Sequence, residues 1–436
     1  MNAELFRSHP PTNTPNVNRK IAIIGGGISS ICLSHQLLTL LPDADISLFC
    51  SDNQLASRGS SNQQGAIYPL LQGGQFSVLA ELYDQCYPYA VAFYKRLSVN
   101  NITFSHQWCG VLQQAFTQEL AERLQQIACD WPKHAEYIDA EQSSAIAKLP
   151  LPFASLYFKN GGWLSPKQFC QHSASYLEKQ YKFNIYTNHK ISQIKQLIDT
   201  PNQGQWQLNG DPSSTIFDQV VICSGHLANQ YEQTQHLDII PIRGQVSQLG
   251  KQSSLADLNT VICHKGYITP VSRQHQSFGA TFDRSNTNEQ ASQQDDIRNL
   301  NQLKQVYSTQ AWADDLTPGD ILTQNAAIRA TSQDHHPIVG EVMSNQWVKD
   351  NVDKNNGNLK RLDKVTTQDG KHPNSDNQGL YIMTGLGARG LTTAPLMAKH
   401  LAALMCDKNS PLTPRLIKSI SPMRFQIRQL KRNKSQ

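Results

Sequence analysis

None of the nine cysteines in this 436-residue chain stands in a Cys-x-x-Cys pair. Thiols scattered singly from Cys32 to Cys406 argue against a disulfide framework or a zinc knuckle, and read as reduced and intracellular. Charge is also scarce: Asp, Glu, Lys and Arg make up 17% of the residues, against about 25% in a typical chain. Gln, Asn and Ser carry the polarity instead. Apolar runs recur along the whole chain, which excludes a disordered polymer. The net charge of +5 is too mild to indicate a nucleic-acid partner by itself. The opening MNAELFRSHPPTNTPNVNRK has no apolar stretch of the signal-peptide kind. No window approaches the roughly 20 apolar residues of a membrane-spanning helix. A soluble, cytoplasmic protein is expected, long enough for two domains.

What is present begins at KIAII (Lys20 to Ile24), a short buried-strand pattern. Three glycines follow, then ISSICLSHQLLTLL with apolar residues at helical spacing, then the strand pattern DISLFC. This βαβ opening carries IIGGGISS, which places Gly25, Gly27 and Ser30 at the three glycine positions of G-x-G-x-x-G. The first glycine permits the tight turn and the second lets backbone approach a pyrophosphate. The third position needs only a small residue, so Ser30 is tolerable. The helix N-terminus supplies N–H groups and a favourable dipole. The acidic residue expected about 20 residues further on, for the ribose hydroxyls, is not in place. Asp52, just past the second strand, is the candidate, with a solvated loop aspartate as the alternative. The fingerprint serves NAD and FAD alike.

Helices are predicted over Val78 to about Leu97, Pro166 to about Tyr181 and Asp295 to Trp312. Short β-like runs from Ile239 to Asp283 predict an antiparallel sheet. A second glycine turn, LYIMTGLGARGLTTAP, lies between a strand and a helix near the end of the chain. Its Gly385, Gly387 and Gly390 let backbone donors point at a polar ligand edge.

Several ordered motifs resemble those of the D-amino-acid oxidase and glycine oxidase superfamily. They are SSNQQGAIYP, GGWLSP, DQVVICSGHLANQ, PIRGQV, GYITP, IRATSQDHHPIVG and LYIMTGLGARGLTTAP. With HQWCGV (His106 to Val111) and the Asn-x-Gln-Gly-Ala core added, the chain is similar to one family in particular. That family is the C-terminal oxidoreductase part of bifunctional tRNA 5-methylaminomethyl-2-thiouridine biosynthesis proteins. The resemblance implies an α/β fold in which a Rossmann-type FAD-binding domain is interleaved with an antiparallel-sheet substrate domain, as in D-amino-acid oxidase. The implied layout puts the FAD domain at 20–97, 153–235 and 321–414, and the substrate domain at 98–152 and 236–320. A disordered lead (1–19), a mobile insertion (344–379) and a basic tail (415–436) complete it.

The implied reaction is FAD-dependent removal of the carboxymethyl group from 5-carboxymethylaminomethyl-2-thiouridine at the tRNA wobble position, giving the aminomethyl nucleoside and glyoxylate. Arg329 matches the superfamily's carboxylate-binding arginine, with an ion pair to Asp334 as the structural alternative. Tyr267 matches a position facing the substrate, or is a core tyrosine. The implied FAD contacts are Gly25, Gly27, Ser30, Asp52, Arg58, Ser60, Asn62, Gln63, Gly65, Ala66, Ser224, Gly225, Gly387, Ala388, Arg389, Gly390 and Leu391. His335 and His336 are expected to be structural, and Arg243 to brace a strand. The tail has no acidic residue, and Arg424, Arg428, Lys431 and Arg432 in it suit a tRNA phosphate arm, or a solvated terminal helix. No metal site is expected. Family members carry a methyltransferase domain ahead of the oxidoreductase. Only nineteen residues precede the first strand here, so a free-standing enzyme or a fragment is expected, with methylation left to a separate methyltransferase. Two alternatives remain open: an oxidase of glycine, sarcosine or a D-amino acid, and an inactive flavin- or RNA-binding subunit.

Overall fold

The computed structural model describes residues 19–74, 77–198, 204–284, 286–354 and 377–434. The expected lead, except Arg19, and positions 355–376 of the expected insertion lie outside these residues.

Five apolar pentads and tetrads build a parallel sheet. Its order is Ile338–Glu341, Leu380–Thr384, Gln219–Ile222, Lys20–Ile24, Asp45–Phe49 and Phe183–Tyr186, with Ile338–Glu341 antiparallel at one edge. The central strands are buried on both sides, which is why they read as unbroken apolar runs instead of alternating ones. The helices Ile28–Leu40, Val78–Val99 and Gly390–Met405 pack on one face in a single core cluster. A three-stranded antiparallel sheet (Gln193–Gln196, Trp206–Asn209, Ile216–Phe217) covers the other face, with Trp206 fully buried.

A second layer is an eight-stranded sheet ordered Ile321–Thr331, Ile240–Gly250, His275–Gly279, Tyr267–Ile268, Val261–Cys263, Val111–Gln114, Ser155–Phe158, Glu136–Ile138. Helix Gln293–Val306 and its Leu300 and Leu303 cover it. The expected substrate segments 98–152 and 236–320 are extended by this sheet at both ends. Ser155–Phe158 and the whole of Ile321–Thr331 belong to it, not to the nucleotide sheet. The reason is pairing: Ile321–Thr331 lies antiparallel to Ile240–Gly250 from Ile240↔Thr331 to Leu249↔Ile321.

A third, small sheet joins motifs far apart in the chain. Gly65–Ile67 and His106–Gln107 both pair with Gly162–Leu164. A Cβ on Gly162 would run into the carbonyl oxygen of Gln107, so this crossing needs glycine.

The described part of the expected insertion, 344–354, contains the helix Asn345–Lys354. Trp347 and Val348 bury against Met343 and Met423. An amphipathic turn with one tryptophan anchors this segment, which composition alone had suggested to be loose.

Candidate active site

Two helix N-termini open on one cavity of about 560 Å³ between the layers. The first belongs to Ile28–Leu40, which has Gly27 at its N-cap, no side-chain cap of its own and no acidic residue in its first turn. Gly25 has φ +127°, and a Cβ there would collide with the Cys223 carbonyl oxygen. This glycine lets the fingerprint turn sit against the turn at Ser224 and Gly225. The second N-terminus belongs to Gly390–Met405, again without a side-chain cap or an acid in its first turn. It follows the turn Gly385–Arg389, in which Gly385 and Gly387 have φ +71° and +60°. The remaining N–H groups of the first turns and the two dipole ends make the cavity ready for anionic or electron-rich ligand edges.

The cavity wall includes Gly25, Gly27, Asp52, Arg58, Ser60, Asn62, Gly65, Ala66, Ser224 and Gly225. Gly387, Ala388, Arg389, Gly390, Leu391, Tyr267 and Arg329 line it as well. Two expected contacts lie elsewhere. Ser30 is fully buried, and its hydroxyl donates to the Gly25 carbonyl at 2.5 Å; it ties the turn to the helix from behind. Gln63 is exposed and absent from the wall, because the chain reverses side between neighbours and turns Gln64 inward instead.

Gln64 is buried and bridges the layers. Its amide donates to the Pro270 carbonyl at 2.9 Å, and its Oε1 accepts from Thr269 Oγ1 at 2.8 Å and the Ser277 N–H at 3.1 Å. The Tyr267 hydroxyl donates to the Gln64 carbonyl at 3.2 Å. Burial raises the Tyr267 pKa, and nearby Arg329 offsets this only in part, so the phenol stays neutral. Asn62 accepts from Asn325 at 3.0 Å. Ser60 Oγ accepts from the Ile28 N–H at 3.0 Å, capping the fingerprint helix from the loop. Asp52 is gripped by Arg58 Nε at 2.9 Å, and Arg58 Nη1 reaches Glu289 at 3.0 Å.

Charge on the wall is lopsided. Arg58, Lys265, Arg329 and Arg389 face a single carboxylate, Asp52. Arg58 is committed to two acids, and Lys265 donates to Gln305 at 3.0 Å. Among the described residues neither Arg329 nor Arg389 has a carboxylate partner. Arg389 lies 4.0 Å over the Tyr68 ring. Burial pulls its pKa down, but the phenols of Tyr68 and Tyr83 outweigh that and hold it up. Arg329 is half-buried, and its accessible part faces the cavity. Desolvation lowers its pKa, with partial relief from Tyr267; a guanidinium still remains protonated. A partly desolvated cation with no protein anion is costly, and an incoming carboxylate relieves that cost.

The strand pairing aims Arg329. Ile242 lies opposite Arg329 and Gly244 opposite Ala327, so the side chain runs diagonally over Gly244. A Cβ on Gly244 would meet Arg329 Nη1, Nη2 and Cζ at 2.6, 2.6 and 2.7 Å. Gly244→Ala is therefore expected to keep fold and flavin while pushing the guanidinium aside. Misplacement by about 1 Å costs roughly 10²-fold. Rapid-mixing titration should show a weakened substrate Kd, and an unchanged Kd would contradict this geometry.

His264 also lines the cavity, and burial drops its pKa to about 3, so it is neutral and not a proton carrier near pH 7. His336 and Asp334 lie apart, in a node with the C-terminal helix Arg424–Lys434. Burial pushes the Asp334 carboxyl up, but Arg424, Ser332 and Arg428 outweigh it and hold it well below the carboxylate range. Asp334 is thus the partner of Arg424 and Arg428 and not of Arg329. Arg424 is 6% exposed and also donates to the carbonyls of Ile420, Ser421 and His336. This corrects its expected role: Arg424 is a buried brace, and Phe425 beside it is core. Arg428 is half-exposed but paired. The side chains of Lys431 and Arg432 lie outside the described residues. Arg243 is a brace as well, buried against Asp295 at 2.6 Å.

Two glycine turns and two helix N-termini opening on one cavity between a nucleotide sheet and an antiparallel sheet define a dinucleotide-binding protein. Residues 20–404 match the model of the DAO family, FAD dependent oxidoreductase, and the chain belongs to that family. It is 36% identical over 421 residues to the tRNA 5-methylaminomethyl-2-thiouridine biosynthesis bifunctional protein MnmC of Pseudoalteromonas translucida, covering 95% of this chain and 60% of that protein. The protein of the same name from Shewanella frigidimarina is 33% identical over 439 residues, covering 98% and 60%. The chain thus spans about 60% of the length of these curated relatives. Glycine oxidase from Geobacillus kaustophilus superposes with a TM-score of 0.71 at 18% identity, covering 93% of this chain and 99% of that one. Iminodiacetate oxidase from Chelativorans gives 0.70 at 16%, covering 92% and 98%. At these identities the likeness is one of fold. No described helix is long and apolar enough to cross a membrane.

Gln64 and Gly244 escaped the sequence reading. Both stand inside motifs already singled out, NQQGA and PIRGQV. What was missing was the register that decides which neighbour turns into the protein.

Proposed function

We propose that this chain oxidises the carboxymethylamino group of 5-carboxymethylaminomethyl-2-thiouridine in tRNA, releasing glyoxylate and leaving the aminomethyl nucleoside. The observation that carries the reading is Arg329, a cavity-lining guanidinium with no carboxylate partner among the described residues. The RNA part of the proposal rests on similarity to the MnmC proteins.

The residues present fit FAD. Gly25, Gly27 and the Ile28–Leu40 N-terminus would hold the pyrophosphate, and the Gly387–Leu391 turn would face the ring edge where negative charge gathers. Bound FAD supplies the two-electron acceptor for the substrate's Cα–H bond. Arg329 binds the glycyl carboxylate through its planar fork, which fixes the direction of the adjacent Cα. Tyr267 has its proton directed at Gln64, so its oxygen is left as an acceptor for the substrate's amine N–H. Loss of hydride from Cα leaves an iminium, and water then splits it into the protonated amine and glyoxylate. His264 is held neutral by burial, so the cations on the wall, Lys265, Arg329 and Arg389, are what disfavour an ammonium and favour substrate entering as the free amine. The aminomethyl product is a substrate for methyl transfer, and a methyltransferase active site is the proposed next partner.

Incubating the holoenzyme with tRNA bearing the carboxymethylaminomethyl nucleoside, then digesting to nucleosides, tests the proposal. Conversion to the aminomethyl nucleoside with matching glyoxylate is expected. Turnover of sarcosine or glycine with the tRNA untouched would replace it with a small-molecule oxidase.

A further inference from the structure

We infer that Phe282 and Arg284 form a stacking platform for an RNA base next to the modified nucleoside, at the mouth of the cavity. This rests on the proposed tRNA substrate and says where the polymer is held.

Phe282 is 57% exposed, whereas every other described phenylalanine, tyrosine and tryptophan is buried or half-buried. It also lines the active-site cavity. An exposed phenylalanine is ordinary on a loose loop, but this one is held. Thr281 N donates to the Gln245 carbonyl at 3.1 Å, and Asp283 N to the Arg243 carbonyl at 3.0 Å. Arg243 N returns a bond to the Asp283 carbonyl at 2.9 Å. The segment thus runs on as an edge alongside Ile240–Gly250. Its sides alternate, so Thr281 is buried and Phe282 turns out. Buried Arg243 fastens the chain just beyond, through the carbonyls of Asn288 and Gln290.

Arg284 is exposed, lies 5.7 Å from the Phe282 ring centre, and has no acidic partner among the described residues. A rigid aromatic face beside a free guanidinium suits one kind of ligand well. Bases stack on aromatic and guanidinium planes, and the same guanidinium reaches phosphate. A small amino acid that sinks to Arg329 needs no such surface. A nucleotide that enters on a chain has neighbours, and they must rest at the rim. The C-terminal helix is a weaker place for them, since Arg424 and Arg428 are both taken by Asp334.

Fluorescence anisotropy of the holoenzyme with a labelled anticodon stem-loop RNA tests this. Wild type should bind. Phe282→Ala should weaken binding about five- to a hundredfold, the usual range for one stacked base. Arg284→Ala should weaken it too and flatten the salt dependence by about one phosphate contact. Leu40→Ala, an exposed apolar residue on the first helix, serves as control and should bind as wild type does. If wild type binds RNA and both platform variants bind equally well, the platform serves another occupant, such as a protein, and the inference is wrong. If wild type binds no RNA, the tRNA reading itself fails. Both substituted side chains are exposed, so folding is not at risk; flavin content and melting temperature verify it.

Discussion

Replacing Arg329 by alanine should lower kcat/KM on the carboxymethylamino substrate on the order of a hundred- to a thousandfold, with flavin still bound. The size follows from truncating one partner of a desolvated charge pair, about 3–4 kcal/mol. The guanidinium has no carboxylate partner among the described residues, so its removal leaves no buried acid behind. It also sits on an eleven-residue strand, Ile321–Thr331, with ten residues paired to Ile240–Gly250, so the backbone should not move. Anaerobic flavin reduction, monitored by absorbance, gives Kd and limiting rate separately. A variant that reduces like wild type would remove Arg329 from the site. Arg329→Lys should recover only part of the loss, because an ammonium lacks the bidentate fork.

The second large effect is expected at Gly25. Its φ of +127° is one that side chains rarely adopt, and the added Cβ would strike the Cys223 carbonyl oxygen. Neither neighbour yields easily, since both turns end central strands paired Ile24↔Ile222. Gly25→Ala should therefore cost more than about 2 kcal/mol locally, push the two turns apart and yield colourless protein. Flavin content after purification, with added FAD as a rescue arm, measures it. A yellow variant of normal stability would contradict the close contact. Gly387→Ala makes the comparison informative: the nearest atom to a Cβ there is 3.7 Å away, so only the backbone strain at φ +60° remains and the effect should be smaller.

The residues whose roles depend on local chain were legible. IIGGGISS, the Gly385–Gly390 turn and Arg329 carry their meaning in short windows, and the structure gathers them around one cavity. Roles set by distant partners were not. Arg424 looked like a free phosphate contact until Asp334, ninety residues earlier, is found against it. Gln63 and Gln64 differ only in which side of the loop each faces, which the sequence of the loop does not encode by itself. The stretch 321–331 was expected in the FAD-binding domain, and only its long register with Ile240–Gly250 assigns it to the antiparallel sheet. Phe282 was visible as part of a β-like run, but its exposure depends on Thr281 and Asp283 being pinned from the neighbouring strand.

The proposed reaction is oxidation, in this cavity, of a secondary amine beside a carboxylate on tRNA. Mixing the yellow holoenzyme anaerobically with carboxymethylaminomethyl-modified tRNA tests it most directly. The account predicts bleaching of the flavin band, with one glyoxylate released per flavin reduced. Flavin that stays oxidised with this tRNA, yet bleaches with free glycine or sarcosine, would contradict it.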